Sequence, residues 1–265
     1  MRSSFPESGP PLTRPSADDQ ARRAQGASPA PIEVIGLRVQ FGRSVILDGL
    51  SLIVPSGGIV AVTGRPHSGK SALCEAIFGR PKNFTGTVHV WGLDARTELR
   101  SIRQRVTWIA GSGVLEPHLT ARQNVSLALR LSSASHPGTL AVDRALRESD
   151  LPDRAFDRRA ESLSPFERWS TSVALARLRP AHIVLFDDPT ALFGPSESRR
   201  STLLIRELSA QGLACLITTT DEYFADEVAG VVYAIERGRL STERVSQRHG
   251  NHNGRPGNPG PTSQE

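Results

Sequence analysis

The segment Gly64-Arg65-Pro66-His67-Ser68-Gly69-Lys70-Ser71 constrains this chain more than any other. It meets the phosphate-loop spacing G-x-x-x-x-G-K-[ST] at every fixed position. The β-branched apolar run Ile59 to Thr63 precedes it and predicts a buried strand, while Ala72, Leu73, Ala76 and Ile77 follow at helical spacing. Such a loop acts through its backbone. Glycines at 64 and 69 let the chain approach phosphate oxygens closely, and the amides and the helix start gather negative charge. Lys70 can then reach the β- and γ-phosphates, and the Ser71 hydroxyl is placed for Mg²⁺. The expected nucleotide-binding set is Gly64, Arg65, Pro66, His67, Ser68, Gly69, Lys70, Ser71 and Ala72. His67 belongs to it by position, although its imidazole needs no role beyond filling the turn.

A phosphate loop hydrolyses nothing alone, because Mg²⁺ needs a second anchor, usually an Asp ending an apolar strand. Ile183-Val184-Leu185-Phe186-Asp187 supplies one. Ser71 and Asp187 are therefore the expected metal pair. Asp188 follows at once and is the candidate to face an attacking water, with Lys70 as its catalytic companion.

Around these motifs strands and helices alternate. Strand patterns run Ile32 to Val39, Val45 to Leu47, Leu50 to Val54, Gly86 to Val90, Val106 to Ile109, His182 to Asp187, Leu213 to Thr218 and Val231 to Ile235. Helical patterns run Thr97 to Arg105, Ala121 to Leu131, Leu140 to Ser149, Pro165 to Leu178, Glu197 to Leu208 and Asp221 to Val228. Phe41 to Ser44 reads as a turn. The pattern predicts an α/β, three-layer P-loop NTPase core with a mostly parallel sheet, preceded by an antiparallel β part and carrying a small helical insert at about 112–165. The predicted domain is 32–245. Residues 1–31 and 246–265 lack hydrophobic period and read as disordered tails.

The 265 residues suit one large domain or two small ones. The net charge of +5 comes almost wholly from arginine, the lysines being Lys70 and Lys82. That skew reads as GC-rich coding rather than a nucleic-acid surface, and no nucleic-acid partner is expected. The Arg100, Arg103, Arg105 cluster reads as a solvated face. Trp108 and Trp169 read as packing residues, and Cys74 and Cys215 as buried reduced thiols. No apolar run approaches the ~18 residues needed to span a bilayer, and no secretory signal is evident.

With both acidic and loop motifs placed, the chain resembles the nucleotide-binding subunit of an ABC (ATP-binding cassette) transporter over about Ile32 to Leu240. Phe41 occupies the position of the family's adenine-stacking aromatic. Leu47-Asp48-Gly49-Leu50-Ser51-Leu52 matches the segment before the core strand. Leu163-Ser164 opens where the LSGGQ signature lies, with Ala174-Leu175-Ala176-Arg177 behind it. Asp187-Asp188-Pro189-Thr190 matches the DEPT segment, and Gly238-Arg239-Leu240 the usual end of the fold. The resemblance implies Mg-ATP as cofactor, with Phe41 at the base and Ser164 facing a nucleotide held by a second ATP-binding subunit, in a homo- or heterodimer. It further implies a separate membrane-spanning subunit and a cytoplasmic, peripheral location on the inner face of the membrane.

Departures from the pattern cluster in the hydrolytic apparatus. The Q-loop glutamine position holds Gly111, with Ser112 beside it, and the signature reads Leu163-Ser164-Pro165-Phe166-Glu167. Pro165 has no N–H to give, and Phe166 adds bulk where close approach is expected. Asp188 stands for the catalytic Glu, Gly194 for the D-loop aspartate and Thr220 for the H-loop histidine. A positioned general base contributes about 10²–10⁴-fold. The expectation is intact ATP binding with hydrolysis that is slow or partner-dependent; the alternative is a non-hydrolysing, ATP-binding regulatory or assembly subunit.

Overall fold

The computed structural model describes residues 29–80, 84–132, 138–241 and 244–245. Both expected tails lie outside these residues except for 29–31, where Pro31 is buried and its carbonyl accepts the Trp91 amide.

Two sheets share one core. The smaller has the order β2–β1–β4–β5, built from β1 (Ile32–Phe41), β2 (Ser44–Val54), β4 (Phe84–Val90) and β5 (Leu93–Asp94). All of its pairings are antiparallel. In the larger sheet β9 (Val231–Glu236), β3 (Ile59–Thr63), β8 (Ala214–Thr219), β7 (Ile183–Asp187) and β6 (Val106–Ala110) lie side by side and parallel. Short strands β10 (Arg239–Leu240) and β11 (Arg244–Val245) add to β9 antiparallel. Buried on both faces, β3, β7 and β8 show no polar alternation.

Helices occupy both sides. On one side α1 (Lys70–Ile77) and α2 (Leu99–Arg105) lie between the two sheets, where Leu73, Ile77 and Ile102 pack with Leu47, Val88 and Leu185. On the other side α5 (Pro165–Leu178), α6 (Pro195–Ala210) and α7 (Glu222–Val228) cover the parallel sheet through Trp169, Ile205 and Phe224. The insert is α3 (Ala121–Leu131) and α4 (Thr139–Glu148), which pack on α5 through Val125, Leu146 and Ala174.

Two sequence expectations change. The separate strands at 45–47 and 50–54 are one strand, β2. The Asp48-Gly49 pair is absorbed as an irregularity in its pairing with β1, and the Asp48 amide donates to Gly238 O instead. Phe41 is the last residue of β1 rather than a turn residue, since Gly42 and Arg43 alone close the hairpin.

Phe166 also departs from expectation. Only 2% exposed, it faces inward into a cluster, its ring centroid 5.8 Å from that of Trp169 and 5.4 Å from that of Phe193, while Trp169 in turn meets Phe193 at 5.8 Å and Phe186 at 5.9 Å. Truncating Trp169, which is fully buried in that cluster, to Ala should cost about 3–5 kcal/mol in urea denaturation. Trp169→Phe should cost under about 2 kcal/mol, because the indole N–H it removes has no partner among the described residues.

Candidate functional site

The parallel strands deliver the site to one end of the sheet. β3 runs into the loop, β7 ends in Asp187, and β8 places Thr218 in register with Asp187. Pro66, Arg65 and His67 are exposed on the loop, whereas Gly69 and Lys70 are buried against the body of the domain. Gly69 adopts φ +103, and a Cβ there would stand 2.6 Å from Leu47 Cδ2. The loop thus rests on β2, and glycine is required at that contact. Because Phe41 pairs with Ser44 at the start of the same strand, this packing ties the Phe41 hairpin to the loop. Phe41 itself is 82% exposed, at the tip of that hairpin.

Lys70 Nζ donates to the carbonyls of Gly64 (2.7 Å) and Arg65 (2.9 Å). These bonds arch the loop, as does Ser68 N donating to Arg65 O. Burial pulls the Lys70 ammonium below its ordinary range, and the charges of Asp188 and Asp187 oppose that shift. Both acids therefore lie within electrostatic reach of the lysine.

One carboxylate oxygen organises the floor. Asp187 Oδ1 accepts from Thr218 Oγ1 at 2.7 Å and from Ser71 Oγ at 3.2 Å. Ser71 and Asp187 thus meet as expected. Hydroxyl and carboxylate oxygens at that separation are hard ligands spaced to face one small divalent cation, and their chemistry fits Mg²⁺.

Asp188 differs in character. Its amide donates to Thr218 O at 2.7 Å, and its φ is +52. Thr219 Oγ1 and Thr220 N approach its Oδ1 at 3.5 Å, the outer limit of hydrogen bonding. Asp tolerates the left-handed region better than Glu does, a physical reason for the shorter acid here. His67 shares this conformation, with φ +63. Its backbone shape accounts for it as a turn residue.

The remaining sequence candidates sit apart from the loop or beside it. Ala72 is half-buried in the first turn of α1. Ser164 is the N-cap of α5: its hydroxyl accepts Glu167 N at 3.1 Å and Glu167 Oε2 accepts Ser164 N at 2.9 Å. This is a capping box with Pro165 at the first helical position. Gly111 follows β6, and its amide donates to Asp187 O at 2.7 Å. A Cβ built there meets nothing within 4 Å. Ser112 is turned to Arg168, 3.5 Å away. Gly194 caps α6, and its amide is held by Glu167's counterpart there, Glu197.

Thr218 is the site residue that sequence reasoning missed. Its signal was position: it ends the strand after the one that ends in Asp187, and parallel strands bring such ends together.

A profile of the family described as "ABC transporter" matches residues 47–191, more than half of the chain. The glutamine transport ATP-binding protein GlnQ of Escherichia coli is 29% identical over 217 residues, covering 80% of this chain and 90% of that protein. The methionine import ATP-binding protein MetN of Brucella abortus is 27% identical over 224 residues, covering 82% of this chain but 60% of that longer protein. The dimeric ATP-binding cassette MJ0796, solved with ADP and Pi, superposes with a TM-score of 0.73 at 21% identity, covering 82% of this chain and 99% of that one. The chain belongs to the ABC transporter family, as an ATP-binding cassette.

Proposed function

We propose that the chain is the ATP-binding subunit of an ABC transporter that binds Mg-ATP and hydrolyses it slowly or with a partner's help. The observation that carries this is the convergence of Lys70, Ser71, Asp187 and Thr218 at the end of the parallel sheet. In this reading the loop from Gly64 to Ala72 cradles the phosphates and Phe41 stacks on adenine. Lys70 exchanges its loop carbonyls for phosphate oxygens. Ser71 and Asp187 hold Mg²⁺, which would neutralise phosphate charge when bound. Asp188 orients the attacking water. The relatives named for glutamine transport and methionine import support a transport role.

A second ATP-binding subunit, identical or different, would face the loop with its own signature segment, and Ser164 would face that subunit's nucleotide. Because Phe166 turns inward, it leaves the face at Ser164 open. The membrane-spanning subunit is separate in this reading, and the chain lies peripherally on the cytoplasmic side of the membrane. Among the described residues, no helix is long and apolar enough to cross a bilayer. The seat for that subunit is a groove of about 230 Å³ between β6, the loop after it, and the helices α3 and α5. Val114 and Leu131 stand exposed at its lip, at 88% and 77%. Asn124 fixes its wall by donating to the carbonyls of Glu116, Leu119 and Thr120.

The non-hydrolysing regulatory reading is favoured by one observation: the hydrogen-bond donors that meet the Asp188 carboxylate among the described residues are a threonine hydroxyl and an amide, both at 3.5 Å. Phosphate release separates the two. Lys70→Ala should weaken binding of a fluorescent ATP analogue by about 10–100-fold, the value of charge-assisted contacts. Asp188→Asn should leave binding within about twofold and lower phosphate release about 10²-fold. Equal release by wild type and Asp188→Asn would hand the function to the regulatory reading.

Phe41→Ala should weaken ATP by about 5–50-fold through lost base stacking. It should leave inorganic tripolyphosphate binding unchanged. Parallel losses for both ligands would remove the adenine role from Phe41.

A further inference from the structure

A second cleft, of about 360 Å³, shares no lining residue with the docking groove. It opens between the end of the insert and α6, and three arginines line it: Arg147 from α4, Arg154 from the one-turn 3-10 helix Asp153–Ala155, and Arg200 from α6. Two of them are fixed in place. Arg147 donates Nε and Nη2 to the two carboxylate oxygens of Asp153, both at 2.8 Å, and its Cζ lies 5.3 Å from the centre of the Phe156 ring. Arg200 donates Nε to Asp150 Oδ2 and Nη2 to Asp150 O at 3.4 Å, with its Cζ 4.3 Å from the centre of the Phe166 ring. Arg154 is exposed and, among the described residues, pairs with no acid. Against three guanidiniums the cleft sets only the carboxylates of Asp150 and Asp153.

Asp150 holds its place against a backbone preference. It follows the cap of α4, where its amide donates to Arg147 O at 2.9 Å and the Leu151 amide to Leu146 O at 3.1 Å. This helix ending requires the left-handed conformation, φ being +65 here, and glycine is its usual occupant. An aspartate strains the backbone at that point, and what it supplies is a carboxylate that fixes Arg200 at the cleft. Guanidiniums held in advance bind an oxyanion with little ordering cost, and their planar fork matches phosphate. Donors that reach one cleft from three elements suit a tetrahedral anion with three terminal oxygens better than a flat carboxylate. The rings that could stack on a base, Phe156 and Phe166, are buried behind the arginines, so they offer a nucleobase no face. Leu151 and Pro152 complete the wall with a short apolar stretch. We propose that the cleft between the insert and α6 binds a phosphate group, free or on a small non-aromatic ester, with Arg147, Arg154 and Arg200 as its donors. Once occupied, the cleft ties the insert to α6 and holds Arg200 against Phe166, two residues beyond Ser164. This site is separate from the phosphate loop and needs neither ATP nor a membrane-spanning subunit.

The test titrates inorganic phosphate and glycerol 3-phosphate into the full chain by isothermal titration calorimetry at constant ionic strength. Lys70→Ala disables the phosphate loop and should leave affinity at the cleft within about twofold, because the two sites share no contact. In that background Arg154→Gln should weaken both compounds about tenfold, the value of one charge-assisted contact, and Arg154→Glu should abolish their binding. Arg154 has no acidic partner to lose, so Arg154→Gln should melt at the wild-type temperature without ligand, which separates lost binding from lost folding. Tighter binding of glycerol 3-phosphate would assign the cleft to a phosphate ester, and equal affinities would assign it to the free ion. Binding that vanishes in Lys70→Ala, with the wild-type affinity untouched by Arg154→Gln, belongs to the phosphate loop and overturns the inference. So does the absence of binding by both compounds.

Discussion

Asp187 Oδ1 accepts hydrogen bonds from Ser71 on α1 and from Thr218 on β8, while Asp187 itself ends β7. Three elements distant in sequence are joined at one buried carboxylate oxygen. A buried carboxylate is costly unless it is hydrogen-bonded, so the arrangement holds only while α1, β7 and β8 keep their register. The chain satisfies this charge with hydroxyls rather than a cation, although the Lys70 ammonium is near. Lys70 is held instead by the carbonyls of its own loop. Its contacts are with backbone acceptors that phosphate oxygens can replace, so nucleotide can recruit the lysine without first breaking a buried ion pair. Thr218 stands on Cys74, 3.9 Å away, deep in the core, which makes the floor of the site continuous with the packing of the domain.

The parallel core and the loop were legible because their signals are local and strong. Continuous apolar strands, a fixed glycine–lysine spacing and helix starts such as Pro165 gave bounds that the structure reproduces for α3 and α5. What was not legible depends on pairing between strands or on where a side chain turns. Asp48-Gly49 looks like a turn to any local rule, yet the partner strand and Gly238 absorb it into β2. Thr218 carries no motif, and its role comes from register alone. Phe166 follows a helix start and reads as surface by position, yet Trp169, Phe186 and Phe193 offer it a cavity, with Arg200 stacked 4.3 Å from its ring.

Ser164 shows two demands falling on one hydroxyl. Ser-Pro-Phe-Glu is a strong helix start: the serine caps, the proline presets φ and the glutamate closes the box. Such a cap is worth about 1 kcal/mol. A hydroxyl that accepts Glu167 N still has its proton to donate outward, so the cap and a phosphate contact are compatible at Ser164. They are not compatible at Pro165, where no N–H exists. The substitution therefore trades backbone donors for a rigid helix terminus while sparing the hydroxyl.

That rigid terminus belongs to the helix best placed to connect the parts of the domain. Beyond Ser164, α5 contributes Trp169 and Val173 to the core under the parallel sheet, Ala174 to the insert, and Thr171, Ser172 and Leu175 to the groove. Arg168 reaches from α5 to Ser112 on the loop after β6, whose Gly111 amide is bonded to Asp187 O. A displacement in the groove thus has a short, packed route to Asp187: through α5 and through the loop wall. Gly111 carries no side chain to read the phosphate directly, so communication along that route must travel by backbone position. The helix cap at Ser164 and the backbone bond at Gly111 thus lie at two ends of one packed path, joined where Arg168 meets Ser112.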